Sequence, residues 1–143
     1  MNSGFSDRLV KILLVEDSPD DIELTLEGFK EGNLRHELSV VEDGIEAIDF
    51  LRRQGKYVDA SEPDVVLLDL NLPRKDGREV LDDIRADQNR KHIPVIVLTT
   101  STAERDILQG YLRANSYIIK PVDMEQFVSA LHDLKIGAVT QNP

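Results

Sequence analysis

The sequence contains no cysteine in its 143 residues. This absence excludes a disulfide framework, a thiolate metal site and cysteine catalysis, and it weakly favours a reducing compartment. The N-terminus has no apolar core of signal-peptide length, and no apolar run approaches the ~18 residues that cross a bilayer. We therefore expect a cytoplasmic protein that does not insert into a membrane.

Positive charge is also scarce. The chain carries 17 Lys and Arg residues against 27 Asp and Glu residues, which gives a formal net charge of -10. Nucleic-acid binding by phosphate neutralisation requires the opposite sign on at least one face, and the densest basic run, Arg52, Arg53 and Lys56, is typical of a solvated helix end. We therefore expect no nucleic-acid partner. The three histidines are scattered and show no metal-ligand spacing.

Short apolar runs alternate with segments of helical periodicity. The runs are rich in β-branched residues and suit buried parallel strands; they lie at Lys11–Val15, Leu38–Val41, Val65–Leu68, Val95–Leu98 and Tyr117–Ile119. After each run, apolar residues recur at helical spacing: Ile22, Leu26 and Phe29; Ile45, Ile48 and Leu51; Val80, Leu81 and Ile84; Ile107, Tyr111 and Ala114; and Phe127, Val128, Leu131 and Leu134. Five strand–helix repeats predict one α/β domain over residues 9–136, with a parallel sheet covered on both faces and flexible termini at 1–8 and 137–143.

Three predicted helices have start signals in the sequence. A capping Ser or Asp is followed by proline, or by Glu or Gln three residues later; the pairs are Ser18 with Pro19, Ser101 with Glu104, and Asp123 with Gln126. The connection Arg52–Pro63 exceeds the usual loop of about 2–6 residues, and an insertion, a helix extension and a binding loop all remain open.

Chemistry-bearing residues follow the predicted strands, and ligands of open parallel sheets bind beyond the strands' carboxyl ends. The residues at these ends are Glu16 and Asp17, Asp69 and Asn71, Thr99, Thr100 and Ser101, and Lys120. Clustered carboxylates repel one another unless a cation intervenes. Mg²⁺ takes oxygen ligands and accepts phosphate oxygens, so these ends predict a magnesium site.

Position assigns a role to each group. Asp69, after a central strand, is placed as a carboxylate nucleophile toward phosphorus. Asp17 is placed to bind the metal directly, Glu16 through a water molecule, and the backbone carbonyl of Asn71 as a further ligand. Lys120 is expected to pair with Asp69 at rest and with a phosphoryl oxygen afterwards. Each residue alone also has an ordinary explanation as a helix cap, a strand end or a solvated turn.

Four segments at these ends resemble, in order, the receiver domains of two-component response regulators: ILLVEDSPDD, DVVLLDLNLPRKDG, IPVIVLTTS and SYIIKPVD. The resemblance runs from about Lys11 to Lys135. It implies a doubly wound, flavodoxin-like fold with strand order 2-1-3-4-5. It also implies a phosphoryl group on the aspartate and a Mg²⁺ or Mn²⁺ cofactor.

The resemblance implies a role for each matching residue. Asp69 is the phosphoacceptor and also a metal ligand, together with Asp17, the Asn71 carbonyl and, through water, Glu16. Lys120 contacts phosphate, and its bond to Pro121 is cis. Thr99, rather than Thr100, is the switch hydroxyl and Tyr117 the switch aromatic. Asn71 and Ser101 tune dephosphorylation. Glu16 departs from the family, because many members have Asp there. Its longer reach favours contact with the metal through water.

The resemblance predicts a single-domain response regulator that is not itself an enzyme and that receives its phosphoryl group from a histidine kinase. FLRRQGKY, LNLPRKDG and the long connection resemble small regulators paired with phytochrome-type kinases. Little chain follows Lys135, so we expect no output domain and a signal passed by protein contact. We also expect a homodimer through the fourth helix, fifth strand and fifth helix. The kinase stimulus and the downstream partner stay open.

Two other functions fit parts of the pattern. A phosphatase with an aspartate nucleophile commonly has a second acid two residues later, where this chain has Asn71, and no cap-domain insertion is present. A degenerate receiver that only binds a partner is expected to lose the acid pair, the acceptor or the lysine. Glu16, Asp17, Asp69 and Lys120 are all present.

Overall fold

Five strands and five helices alternate within residues 9–32, 34–110 and 112–136, the part of the chain that the computed structural model describes. The strands are β1 (Val10–Val15), β2 (His36–Val41), β3 (Val65–Asp69), β4 (Val95–Thr99) and β5 (Ser116–Ile119). The helices are α1 (Pro19–Lys30), α2 (Gly44–Arg52), α3 (Gly77–Ala86), α4 (Thr102–Leu108) and α5 (Met124–Asp133). None of the described helices is long and apolar enough to span a bilayer.

All neighbouring strands pair in parallel, in the order β2-β1-β3-β4-β5. The strand order that the family resemblance implied is therefore confirmed. The register aligns the carboxyl ends, because Val15 of β1 pairs with Leu68 of β3 and Asp69 pairs with Leu98 of β4. Residues that directly follow β1, β3 and β5 consequently meet at one edge of the sheet.

The sheet separates two apolar layers, because successive side chains of a strand point to opposite faces. Ile12 and Leu14 of β1 pack with α1 and α5, through Phe29 and Phe127. The alternate residues Leu13 and Val15 pack with α2, α3 and α4 on the other face. Helices on both faces make the fold doubly wound, as predicted.

The predicted helix starts are largely confirmed. The Ser18 hydroxyl accepts a hydrogen bond from the Asp21 N–H, and the carboxylate of Asp123 accepts one from the N–H of Gln126. Ser101 caps α4, but the Glu104 carboxylate accepts from the Thr100 N–H rather than from that of Ser101. The predicted capping box at α4 is therefore only half formed.

The predicted apolar stripe of the fourth helix is wrong. The helix ends at Leu108, so it does not reach Ala114, and Leu108 is buried while Ile107 is 62% exposed. A helix that starts at Thr102 turns position 108, and not 107, toward the sheet. Tyr111 lies outside the described residues.

Two other predicted core positions are wrong, because the helices that contain them turn a different face toward the sheet. Leu26 and Ile45 are exposed, and the buried residues of their helices include Thr25 and Ala47 instead. The Thr25 hydroxyl donates to the Asp21 carbonyl, which satisfies its polar atom inside the helix. Small or weakly apolar residues thus share the buried faces of α1 and α2 with Phe29 and Leu51.

The long connection after α2 contains a 3-10 turn at Gly55–Tyr57. The Tyr57 ring packs on Phe50, and its hydroxyl donates to the Glu46 carboxylate, so the turn folds back onto α2. The predicted termini, 1–8 and 137–143, lie outside the described residues, and the domain limits stay a prediction.

Candidate functional site

Three carboxylates meet at the carboxyl ends of β1 and β3. Glu16 and Asp17 directly follow β1 and Asp69 ends β3, and each offers an oxygen within 4.8 Å of the others. Glu16 is 1% exposed and Asp69 6% exposed, while Asp17 is the most exposed of the three. The parallel register brings these groups together, as the sequence predicted.

The Lys120 ammonium lies among these acids. Its Nζ is 3.1 Å from Glu16 Oε1, 3.1 Å from Asp69 Oδ2 and 3.0 Å from Asp21 Oδ2. An ammonium carries three N–H donors, and each has a carboxylate acceptor here. The expected pairing of Lys120 with Asp69 is therefore present in the structure. The peptide bond between Lys120 and Pro121 is cis, as the resemblance implied.

Sequence reasoning missed Asp21. It lies in the first turn of α1, and its carboxylate reaches Lys120 across 99 residues of sequence. The prediction considered only residues that directly follow strands, which excluded a helix position. The PDD run after Ser18 was the available signal, because it places acids on the helix turn that borders the site.

Burial and charge shift two pKa values at the site. Burial, followed by the hydrogen bond and negative charge of Asp69, raises the pKa of Glu16 from 4.5 to about 7. Burial lowers the pKa of Lys120, but hydrogen bonds and charges from Asp21, Glu16 and Asp69 outweigh burial and raise it overall. Lys120 is therefore charged at neutral pH, whereas Glu16 is divided between its two forms.

The donor set of the cluster fits a hard divalent cation. All its ligand atoms are carboxylate oxygens, which suit Mg²⁺ and Mn²⁺ better than softer metals. Carboxylates this close repel one another, and a cation among them offsets that repulsion. The N–H of Asn71 donates to Asp69 Oδ1 at 3.2 Å, so the backbone of Asn71 borders the same cluster.

The two expected switch residues contact the backbone around α4. Thr99 ends β4 and is buried, and its hydroxyl is 3.5 Å from the Ser101 carbonyl to which it donates. The Tyr117 hydroxyl donates to the Leu108 carbonyl at 3.4 Å, and burial raises its pKa. Both side chains thus bond to the backbone around α4, while Ser101 caps that helix.

The fold and the site define a class of protein. A family model described as the response regulator receiver domain matches residues 12–132, and the chain belongs to this family. Neither alternative from the sequence gains support, because the matched family is the receiver itself and Glu16, Asp17, Asp69 and Lys120 lie together.

The chain is similar to phytochrome-associated members of the family. It is 44% identical over 133 residues to the response regulator Rcp1 of Synechocystis sp. (strain ATCC 27184 / PCC 6803 / Kazusa), covering 90% of each chain. The bacteriophytochrome response regulator AtBRR superposes with a TM-score of 0.85 at 42% identity, over 95% of this chain and 99% of that one. The phosphorylated cyanobacterial phytochrome response regulator RcpA is 46% identical, with a TM-score of 0.71 over 90% and 92%. The Mn²⁺-bound form of Rcp1 gives 0.73 at 42% identity, over 94% and 99%.

Proposed function

We propose that Asp69 accepts a phosphoryl group from the histidine of a sensor kinase. An oxygen of the Asp69 carboxylate forms the new bond to phosphorus, and the bond from phosphorus to the kinase imidazole nitrogen breaks, leaving its electron pair on that nitrogen. The observation that carries this proposal is the burial of Asp69 with Lys120 Nζ at 3.1 Å from its carboxylate. A second observation is that RcpA, a similar protein, is known in a phosphorylated form.

The residues around Asp69 neutralise and position the transferred group. Glu16 and Asp17 supply carboxylates and Asn71 a backbone carbonyl for Mg²⁺ or Mn²⁺, which neutralises phosphoryl oxygens when bound. Lys120 pairs with a phosphoryl oxygen, and the Thr99 hydroxyl turns from the Ser101 carbonyl toward another. These roles need positioning and charge, so the chain is a phosphoacceptor rather than an enzyme with a separate substrate. Asn71 and Ser101 border the phosphoryl group and tune the rate of its hydrolysis.

The kinase partner is of the phytochrome type. Support comes from the relatives, since Rcp1-like and bacteriophytochrome response regulators match nearly the whole chain. The negative net charge of -10 makes a basic partner surface complementary. The downstream partner stays open, and the cytoplasmic location stays a prediction of the sequence.

Phosphorylation is tested with acetyl phosphate and MgCl₂, followed by intact mass. One phosphoryl adduct is expected on the wild-type chain and on Asp59→Asn, a control that changes an exposed aspartate in the long connection. No adduct is expected on Asp69→Asn. An adduct that persists in Asp69→Asn overturns the assignment of the acceptor.

The signal leaves through the face formed by α4, β5 and α5, which we propose as a homodimer surface. β5 is an edge strand of the sheet, and edge strands readily pair with other chains. Ile107 of α4 is exposed beside it, and Tyr117 of β5 bonds to the end of α4, so movement of Thr99 and Tyr117 alters this face. Light scattering after size exclusion, with and without beryllofluoride, should show a dimer; monomer under both conditions overturns this proposal.

A further inference from the structure

The loop between β3 and α3, residues 70–76, carries the backbone of Asn71 past the acid cluster. The loop closes on itself, since the Gly77 N–H donates to the Leu70 carbonyl at 3.0 Å. At its far end, Arg74 adopts a left-handed backbone with φ of 63°, a conformation that disfavours any residue with a Cβ. Such a conformation persists only where surrounding contacts hold it.

The carboxylate of Asp43 provides the contacts that keep Arg74 in this conformation. Arg74 Nε donates to Asp43 Oδ2 at 3.0 Å, and Arg74 Nη2 lies 2.9 Å from the same oxygen. The other oxygen of Asp43 accepts from the Glu46 N–H at 2.8 Å and caps α2. Asp43 is buried after β2, so a fixed carboxylate joins the loop to the start of α2.

The backbone of the loop also rests on α2. A Cβ built on Gly44, the first residue of α2, would lie 2.0 Å from the Lys75 carbonyl oxygen. Only glycine allows the loop to approach the helix this closely. The loop therefore meets α2 twice, through the Asp43–Arg74 ion pair and through the contact at Gly44.

We propose that the Asp43–Arg74 ion pair is a clamp that positions Asn71 for cation binding and phosphorylation at Asp69. The inference rests on the proposed function, in which the Asn71 carbonyl is a metal ligand. Arg74 lies three residues from Asn71, whose N–H is bonded to Asp69. Both members of the clamp are positioning residues, because neither touches the phosphoryl group.

The Arg74 side chain is 58% exposed. This exposure allows an experiment to separate a positioning role from a role in stability. Asp43, the partner of Arg74, is buried but keeps the hydrogen bond from the Glu46 N–H when Arg74 is removed, so the ion pair contributes little to global stability. Its loss should consequently appear at the acid cluster and leave the melting temperature nearly unchanged.

The test measures Mg²⁺ affinity of the metal-free chain by calorimetry, and the rate of phosphorylation by acetyl phosphate. Arg74→Ala is expected to weaken Mg²⁺ binding about tenfold, as loss of an outer partner of a metal site does. Arg74→Gly should weaken it less, because glycine adopts the left-handed backbone without the ion pair. Arg74→Lys keeps the charge and should restore most of the affinity.

The charge change alone predicts the opposite sign. Removing a cation near the acid cluster should tighten Mg²⁺ binding, and Arg78→Ala, an exposed arginine at the start of α3, measures this effect. If Arg74→Ala binds Mg²⁺ as tightly as Arg78→Ala, the clamp is overturned while the proposed function stays intact. A wild-type chain that binds no Mg²⁺ and takes no phosphoryl group would overturn both.

Discussion

Lys120 is the one cation among the described residues that contacts three carboxylates at the candidate site. Its ammonium allows Glu16 and Asp69 to be buried side by side. Without it, like charges face one another in a region from which water is largely excluded. The same arrangement leaves a strong attraction for any cation that enters.

We predict that Lys120→Ala destabilises the metal-free protein by about 3–5 kcal/mol, the cost of leaving a buried charge without its partner. Thermal unfolding measures the loss, and Mg²⁺ should raise the melting temperature of Lys120→Ala more than that of the wild type. Lys75→Ala is the matched control, because it breaks the more exposed Lys75–Asp83 pair, worth about 1 kcal/mol or less. Equal losses in the two variants would contradict the prediction.

The raised pKa of Glu16 predicts a pH dependence. Between the unfolded value of 4.5 and the folded value of about 7, the folded chain holds a proton that the unfolded chain has released. The free energy of unfolding of the metal-free protein therefore falls as pH rises through this window, by at most about 1.4 kcal/mol per pH unit.

Urea unfolding at several pH values across this window checks the pH effect. Glu16→Gln carries no titratable group, so its unfolding free energy should fall less with rising pH than that of the wild type. An identical pH slope for the two proteins would show that another group is responsible.

At the start of α3, a single residue determines how closely the helix packs against β3. Gly77 is the first residue of the helix, and a Cβ there would lie 2.5 Å from the Asp69 carbonyl oxygen and from Leu70 Cα. Both are backbone atoms of the strand end that carries the acceptor. The helix can approach β3 this closely only because the position lacks a side chain.

We predict that Gly77→Ala destabilises the protein by about 1–3 kcal/mol through overpacking, although alanine is the better helix former. Gly110→Ala is the control, because the nearest atom to its added Cβ is 3.4 Å away. It should change the free energy of unfolding by about 0.5 kcal/mol or less. Urea unfolding compares them, and equal effects would refute the close approach of α3 to β3.

At the scale of the element, the sequence predicted which segments are strands and helices, and their order along the chain, more readily than it predicted which face of each helix is buried. The apolar runs predicted all five strands to within two residues, because buried parallel strands are continuously apolar. The helix faces were less predictable, and Leu26, Ile45 and Ile107 are exposed. Where small residues such as Ala47 also fit the core, an i, i+3, i+4 pattern is compatible with more than one buried face of the helix.

The whole molecule has a net charge of -10, and within the described residues three carboxylates concentrate at the candidate site. Any cation bound by the folded state alone stabilises the entire chain. Screening of the net charge by salt is a separate effect, which depends on ionic strength and not on the ion. The two effects are separable by experiment.

We predict that Mg²⁺ at ten times its dissociation constant raises the free energy of unfolding by about 1.4 kcal/mol above NaCl of equal ionic strength. Asp17→Asn should lose this increment and keep the response to NaCl, because it removes one ligand but leaves the remaining surface charge. The measurement is urea unfolding in the two salts. An undiminished Mg²⁺ increment in Asp17→Asn would place the cation elsewhere.

The sequence by itself determined the strand–helix alternation and the approach of Glu16, Asp17, Asp69 and Lys120, because parallel strands end at one edge of the sheet. The strand order came from the family resemblance. Only the tertiary structure decided contacts whose geometry depends on how a helix or loop sits on the sheet. The Asp21–Lys120 pair joins residues 99 apart and the Asp43–Arg74 pair residues 31 apart. No local periodicity specifies such partners, since they depend on the rotation of α1 and the path of the loop after β3.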